Sequence, residues 1–398
     1  MSTWGEHRLG DYITINPASL SAEKYDGSIQ YIDISSVSAG RLSGYTEYDI
    51  NDAPSRAKRI IRPNDIIFST VRPNLRAYYY VKECPSNAIC STGFAVLRAK
   101  KNANSRFIYS LITEKSFVDY LSLVAKGSAY PAVDTNDFKK AKVSIPDLPT
   151  QERIADILSA YDDLIENNNK RIALLEKAAQ ELYKEWFVRF RFPGHESAEF
   201  ENGLPKGWEV KRLGDYGRIE TGKTPSMVVP ENYGDEIMFI KTPDMHGNTF
   251  VIETEERLSK RGHETQPKKL LPPNSIMVTC IGTGGVVAIN AEQGHTNQQI
   301  NSIVLNDITY LEWLFFTCKT LKETIELFGA TGATMTNLSK GKFEKLKVID
   351  PGKSLIESYH KMTADTISLI KSLMYQNQNL AKQRDLLLPR LMSGKLEV

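Results

Sequence analysis

A long internal repeat constrains this chain more than any other feature. Trp4 to Tyr12 and Trp208 to Tyr216 share the string Arg-Leu-Gly-Asp-Tyr, and Arg8 returns as Arg212, 204 positions later. The stretch 58–64 is answered by 268–274, and Phe138-Lys139-Lys140-Ala141-Lys142-Val143 by Phe343-Glu344-Lys345-Leu346-Lys347-Val348. The offset drifts only from 204 to 210, as a few loop insertions would cause. Such a period is too long for a solenoid and fits a duplicated domain. At 398 residues there is room for two or three domains, each with its own core. Two similar domains on one chain can grip two similar sites on one ligand.

Each half divides into a β-rich part and a helical part. Short β-branched or aromatic runs at 30–34, 65–69, 77–81 and 94–97 predict strands, with counterparts at 237–240, 275–279, 286–289 and 302–305. Apolar residues then return every three or four positions over 107–123 and 310–328, which predicts a small helix in each half.

Beyond each small helix the period becomes a heptad. From Gln151 to about Arg189 there is no Pro or Gly, and the seam runs Ile154, Leu158, Tyr161, Ile165, Asn168, Ile172, Leu175, Ala179, Leu182, Trp186. Thr150 is placed to cap this helix, which would be about 55 Å long. The second copy gives Tyr359, Thr363, Thr366, Ile370, Leu373, Asn377, Leu380, Arg384, Leu387 and Leu391, a weaker seam at both ends. An isolated amphipathic helix leaves its apolar stripe in water, so the other copy is the expected partner. An antiparallel pair would hold the two globular units at opposite ends of a rod. Facing Asn168 with Asn377 sets Ile172 against Leu373, Ile165 against Leu380 and Leu158 against Leu387. The alternative is that one or both amides turn to solvent at the helix flank. The domain boundaries read as 1–148, 149–192 (first long helix), 193–350 and 351–398 (second long helix).

A net charge of +2 decides nothing for a polyanion-binding reading, because clustering matters more than the total. The N-terminal residues lack a signal pattern, and the most apolar run, 310–318, is short and interrupted by Glu312. A cytoplasmic, non-membrane protein is expected. Cys84, Cys90, Cys280 and Cys318 show no CxxC pairing or metal spacing and read as buried thiols. No metal site is expected.

One motif matches by letter only. Residues 217–224, ending in Gly222-Lys223-Thr224, satisfy the P-loop pattern, but Pro225 and Pro230 follow where a helix would have to begin. Gly282-Thr283-Gly284-Gly285 lies between two predicted strands and suits a hairpin or recognition loop. No HExxH pair, no GxSxG elbow and no amino-methyltransferase motif occurs, so catalytic residues are not expected.

Basic clusters carry more information. Arg56, Lys58, Arg59, Arg62, Arg72 and Arg76 stand against Asp65 alone, and Arg257, Lys260, Arg261, Lys268 and Lys269 repeat the concentration against Glu264. Cations of this kind suit phosphates, while Arg, amide and hydroxyl side chains at loop tips suit base edges.

Leu204-Pro205-Lys206-Gly207-Trp208-Glu209 leads to Leu213-Gly214-Asp215, and Pro146-Asp147-Leu148-Pro149-Thr150-Gln151-Glu152-Arg153-Ile154 opens the first long helix. Leu182-Tyr183-Lys184-Glu185-Trp186-Phe187 closes that helix, and 386–396, from Leu386 to Leu396, lies near the end of the second. By these strings the chain as a whole resembles the DNA-specificity (S) subunit of type I restriction-modification systems. The resemblance implies an α+β fold of two tandem β-rich target-recognition domains separated by two long helices forming an antiparallel coiled coil. Each domain would read one half of a bipartite, asymmetric DNA target. A heptad more or less of helix would move the readers by about 10 Å, or about three base pairs.

The resemblance further implies docking of methyltransferase subunits, usually two, which bind S-adenosylmethionine and methylate adenine, and of a translocating endonuclease subunit. The chain itself would be non-catalytic and carry no cofactor. The second long helix opens with Pro351-Gly352-Lys353-Ser354-Leu355 and lacks the second proline and the Gln-Glu pair of the first, so the two docking surfaces differ.

Base-reading residues do not transfer by resemblance, and the candidates rest on residue chemistry. In the first domain they are Thr70, Arg72, Asn74, Arg76, Ser91, Thr92, Lys126, Ser128 and Tyr130. In the second they are Lys241, Thr242, Thr283, Asn297, Gln298, Gln299 and Asn301. Two alternatives remain open: a coiled-coil scaffold whose β-rich modules bind protein or sugar, and a nucleotide hydrolase using Lys223.

Overall fold

The computed structural model describes residues 4–20, 27–127, 130–329 and 336–398. The chain forms two compact units, Met1–Ile165 with Asn379–Val398, and Glu166–Gln378. In sequence, the long helix Leu148–Tyr183 separates two sheet-rich regions.

The first unit is built on two four-stranded sheets. One runs Ile13–Ile15, Phe94–Ala99, Asp65–Ser69, Tyr78–Tyr80, and the other Thr46–Asp49, Ser28–Ile32, Ala88–Ser91, Ala57–Ile60. Asp65–Ser69 is buried at every position, as a central strand covered on both faces requires. The ribbon of Gly5–Arg8 with Lys142–Ile145 brings the repeated N-terminal string beside the end of the sheet-rich region.

The second unit repeats the plan. A five-stranded sheet orders Gly217–Thr221, Ile300–Leu305, Ile276–Thr279, Val287–Asn290, Phe250–Val251, and a four-stranded one Tyr233–Gly234, Glu256–Leu258, Ile237–Ile240, Gly294–Thr296. In both units the second sheet contains one parallel pair, Ala88–Ser91 on Ser28–Ile32 and Gly294–Thr296 on Ile237–Ile240. Each of the eight predicted strand runs overlaps a strand, though 30–34 runs on past Ser28–Ile32 into the 3-10 turn Ile34–Ser36.

Each predicted small helix proves to be two. Ser105–Thr113 and Lys115–Val124 are separated by Glu114, whose carboxylate accepts from the Ser116 N–H at 3.0 Å to cap the second, and Leu311–Thr320 is followed by Lys322–Gly329. The first long helix starts earlier than expected. Thr150 is not its cap: the helix opens at Leu148, and the Thr150 N–H donates to the Asp147 carboxylate at 3.3 Å. Thr150 is buried and its hydroxyl accepts from Arg153 at 3.0 Å. A π-helical turn, Lys184–Val188, ends the helix and buries Trp186 and Phe187.

The second long helix is Lys353–Met392. Within the second unit it runs antiparallel to the first: Asn168 bonds Asn377, and further along the first helix the Ala179 carbonyl accepts from the earlier residue Tyr359 at 2.8 Å. Ile172, Leu175 and Leu182 pack there into one cluster with Ile370 and Trp313. Within the first unit Ile154 and Leu158 share a cluster with Leu387 and Leu391, and Arg384 donates to Asp162 at 2.6 Å. Tyr161, Ile165 and Leu380 are half-buried and Leu373 is buried. Full burial of a Leu or Ile side chain is worth about 1.5–3 kcal/mol, and the buried seam residues Ile154, Leu158, Ile370, Leu373 and Leu391 supply it to the two long helices.

Among the described residues, no helix is long and apolar enough to cross a membrane. Cys90, Cys280 and Cys318 are buried free thiols, and Cys84 is half-buried.

Candidate nucleic-acid interface

In the first unit the loop after Asp65–Ser69 is tied to two others by backbone bonds. The Thr70 N–H donates to the Gly93 carbonyl at 2.8 Å, the Val133 N–H to the Thr70 carbonyl at 2.9 Å, and the Arg72 N–H to the Pro131 carbonyl at 2.7 Å. The Thr92 N–H donates to the Arg56 carbonyl at 2.8 Å, which adds the basic segment 56–59. Lys126 pairs with Ala132, and Ala132 with Val71. Arg56, Thr70, Arg72, Thr92, Lys126 and Tyr130 are thus brought to one edge of the unit. The Arg72 guanidinium carbon lies 4.9 Å from the Tyr130 ring centroid.

Arg72 and Arg76 flank the turn Pro73–Leu75 with φ of 48° and 54°, the left-handed region that L side chains avoid. Both side chains and Asn74 are exposed.

The second unit makes the same junction. The Cys280 N–H donates to the Gln299 carbonyl at 2.7 Å, and the Leu338 N–H to the Cys280 carbonyl at 2.9 Å. Ile281 pairs with Asn337 as Val71 pairs with Ala132. Here Gln299 Oε1 accepts from Thr242 at 3.3 Å and from Asn297 at 3.0 Å, and Gln298 Oε1 accepts from Thr224 at 2.6 Å.

Several candidates are not positioned to read anything. Ser91 is 0% exposed and its oxygen accepts from the Gly93 N–H, so it shapes the turn. Asn301 is 2% exposed, bonded to Thr221 and to the Leu338 carbonyl. Asn297, 8% exposed, orients Gln299. Thr70 is half-buried and donates to the Gly93 carbonyl at 2.9 Å. Lys241 is neutralised by Glu256. Ser128 lies outside the described residues.

The basic clusters also divide. Asp65 does not face the surface cations: it is 0% exposed and accepts two bonds of 2.7 Å from Arg98. Arg59 and Arg257 are half-buried. Lys269 is structural, bonded to Glu220 and to the Thr221 carbonyl. Arg56, Lys58, Arg76, Lys126, Lys260, Arg261 and Lys268 are exposed and form no ion pair among the described residues. Lys260 and Arg261 sit on the short helix Lys260–Glu264, whose preceding residue Ser259 bonds 231–232 rather than the loop cluster.

Sequence reasoning missed Lys223 and Thr224. The rejected P-loop string is a strand, Gly217–Thr221, and no helix follows it. Gly222 is pinned beneath the 296–299 loop, where a Cβ would come within 2.1 Å of the Asn297 carbonyl oxygen, and the Lys223 N–H donates to Thr296. A glycine followed by polar residues directly after a predicted strand was the available signal.

Paired β-rich units with unpaired cations and polar loops at one edge define a nucleic-acid reader. The chain matches the type I restriction modification DNA specificity domain over residues 1–177 and 205–354 and belongs to that family. It is similar to the type I restriction enzyme HindI specificity subunit of Haemophilus influenzae, 30% identical over 462 aligned positions covering all of both chains. It is also similar to the MjaIX specificity subunit of Methanocaldococcus jannaschii, 28% identical over 329 positions, 80% of this chain and 75% of that one. The fold matches the type I restriction-modification S subunit from M. genitalium with a TM-score of 0.61 at 15% identity, covering 98% and 96% of the two chains. The chain is therefore a type I specificity subunit, a DNA-sequence reader and not itself a catalyst.

Proposed function

We propose that the two units read the two halves of a bipartite, asymmetric duplex target, and that the long helices act as the spacer between half-sites. The observation that carries this reading is the repeated junction, Val71 with Ala132 and Ile281 with Asn337, which gathers polar loop residues at the same topological edge of both repeats. Exposed cations that form no ion pair among the described residues, Arg56, Lys58 and Lys126 in one unit and Lys223 and Lys268 in the other, supply phosphate contacts. Amide, hydroxyl and arginine side chains between them supply base contacts.

Catalysis belongs to the partners. Methyltransferase subunits, two per chain, dock on the long helices and the repeated flanks, carry S-adenosylmethionine and methylate adenine within the target; a translocating endonuclease subunit completes a restriction-competent assembly. The test is equilibrium binding of the assembled chain and methyltransferase to cognate and scrambled duplexes across a salt series. Sequence preference, with affinity falling by about 0.9 logarithmic units per phosphate contact for each decade of salt, supports the reading. Equal binding to both duplexes contradicts it.

A further inference from the structure

We propose that Arg72, stacked on Tyr130, reads a guanine in the half-site of the first unit, and that the second unit has no equivalent arginine contact because Gln299 takes that place. The inference rests on the DNA-reading function above and assigns a base to one of its side chains.

The two repeats can be aligned by their backbone bonds. Thr70 and Cys280 each donate to the turn before the next strand and accept from the segment after the short helices, so Thr70 matches Cys280, Val71 matches Ile281 and Arg72 matches Gly282. By the same bonds Gly93 matches Gln299. The fold demands a left-handed backbone at the third of these positions in both units, with φ of 80° at Gly282 and 48° at Arg72. Glycine meets that demand without strain. An arginine there is strained where a glycine is not, and the side chain it places is exposed. What the arginine gains is placement.

The residues exchange roles between repeats. In the first unit the long side chain comes from Arg72, and Gly93 is bare, since a Cβ there would come within 2.3 Å of Ile34 Cδ1. In the second unit Gly282 is bare, and the side chain comes from Gln299, whose Nε2 lies 3.6 Å from where a Gly282 Cβ would stand. Each junction projects one long polar side chain, from opposite partners of the same hydrogen bond.

Chemistry assigns the base. A guanidinium presents a planar fork of donors and no acceptor, which matches the two acceptors O6 and N7 of guanine and no other major-groove edge. Stacking on Tyr130, which is 71% exposed, holds the fork in one plane before DNA arrives and lowers the ordering cost. The Gln299 oxygen already accepts from Thr242 and Asn297, which leaves its amide NH2, two N–H groups on one nitrogen and not the multi-nitrogen fork of a guanidinium.

The test uses the chain assembled with its methyltransferase, bound to duplexes carrying all four base pairs at each target position in turn. Arg72→Gly removes the guanidinium while relieving the backbone, so it keeps the fold; Tyr130→Phe keeps the stack. The wild-type complex should demand a G·C pair at one position of one half-site. Arg72→Gly should weaken that cognate duplex on the order of ten- to a hundredfold and accept all four pairs there, with every other position unchanged. Tyr130→Phe should retain the preference. Uniform weakening of all sequences by Arg72→Gly would make Arg72 a phosphate contact and overturn the assignment, as would an unchanged preference. A wild-type complex with no sequence preference would instead overturn the DNA-reading function itself.

Discussion

Asn168 and Asn377 meet across the two long helices, Asn168 Nδ2 donating to Asn377 Oδ1 at 3.0 Å and to Gln376 Oε1 at 2.9 Å. Asn377 in turn donates to Asn169 at 2.9 Å. Ile172, Ile370 and Leu373 lie on one side of the pair, and Asn168 is only 1% exposed, with its Oδ1 unpartnered among the described residues. A buried amide pair fixes the alignment of two helices at a cost in stability.

Replacing both, Asn168→Leu with Asn377→Leu, should therefore stabilise the chain by about 1 kcal/mol or more while removing the polar lock on register. Denaturant unfolding reads the change. A lower midpoint in the double variant would mean the amides stabilise the helices outright.

Asp65 is held by two bonds from Arg98, and the carboxylate is out of reach of solvent. Arg98→Ala strands a buried charge and should destabilise the first unit by about 3 kcal/mol, visible as a lower thermal midpoint. Replacing a nearby exposed cation such as Arg62 should move the midpoint by no more than about 0.5 kcal/mol.

His295 is fully buried beside His263, ring nitrogens 3.0 Å apart, and burial, then the charge of His263, pushes its pKa down to about 4. The unfolded chain takes up this proton near pH 6.5 and the folded chain does not until about pH 4. Stability contributed by neutral His295 is thus present above about pH 6.5 and lost as pH falls toward 4, by up to about 3 kcal/mol. His295→Gln should flatten this slope relative to wild type in urea melts taken from pH 7 to 4.5. Parallel slopes would remove His295 as their cause.

Asn301 and Lys126 separate folding from binding. Asn301→Ala breaks the bonds to Thr221 and the Leu338 carbonyl and should destabilise the second unit by about 1–3 kcal/mol. Lys126→Ala should leave stability alone, weaken all sequences alike and reduce the salt slope by about 1. Thermal melts and salt-series binding distinguish the two.

The sequence carried the duplication, the strand runs and the helical seam because each rests on local pattern: repeated strings, β-branched runs and heptad spacing. The Asn168–Asn377 register followed from two polar residues in otherwise apolar seams. Tertiary placement was not legible in the same way. Ser91, Asn297 and Asn301 have the chemistry of base readers, yet each is buried, Ser91 and Asn301 on strands covered on both faces and Asn297 in the turn before one of them. Asp65 looked like the lone acid of a basic surface, and its partner Arg98 stands 33 residues away on a neighbouring strand. Lys223 and Thr224 were hidden by a motif that matched only in letters.

Exchange of one sheet-rich region bears on the central claim most directly. Residues 1–145 replaced by the corresponding region of another family member, with the long helices and second unit retained, should give a methylation map in cells expressing the cognate methyltransferase in which one half of the target changes. The other half and the spacing between them should stay as they were. A map in which both halves change together, or in which methylation loses all sequence preference while the protein remains folded, would contradict the account of two independent readers on one chain.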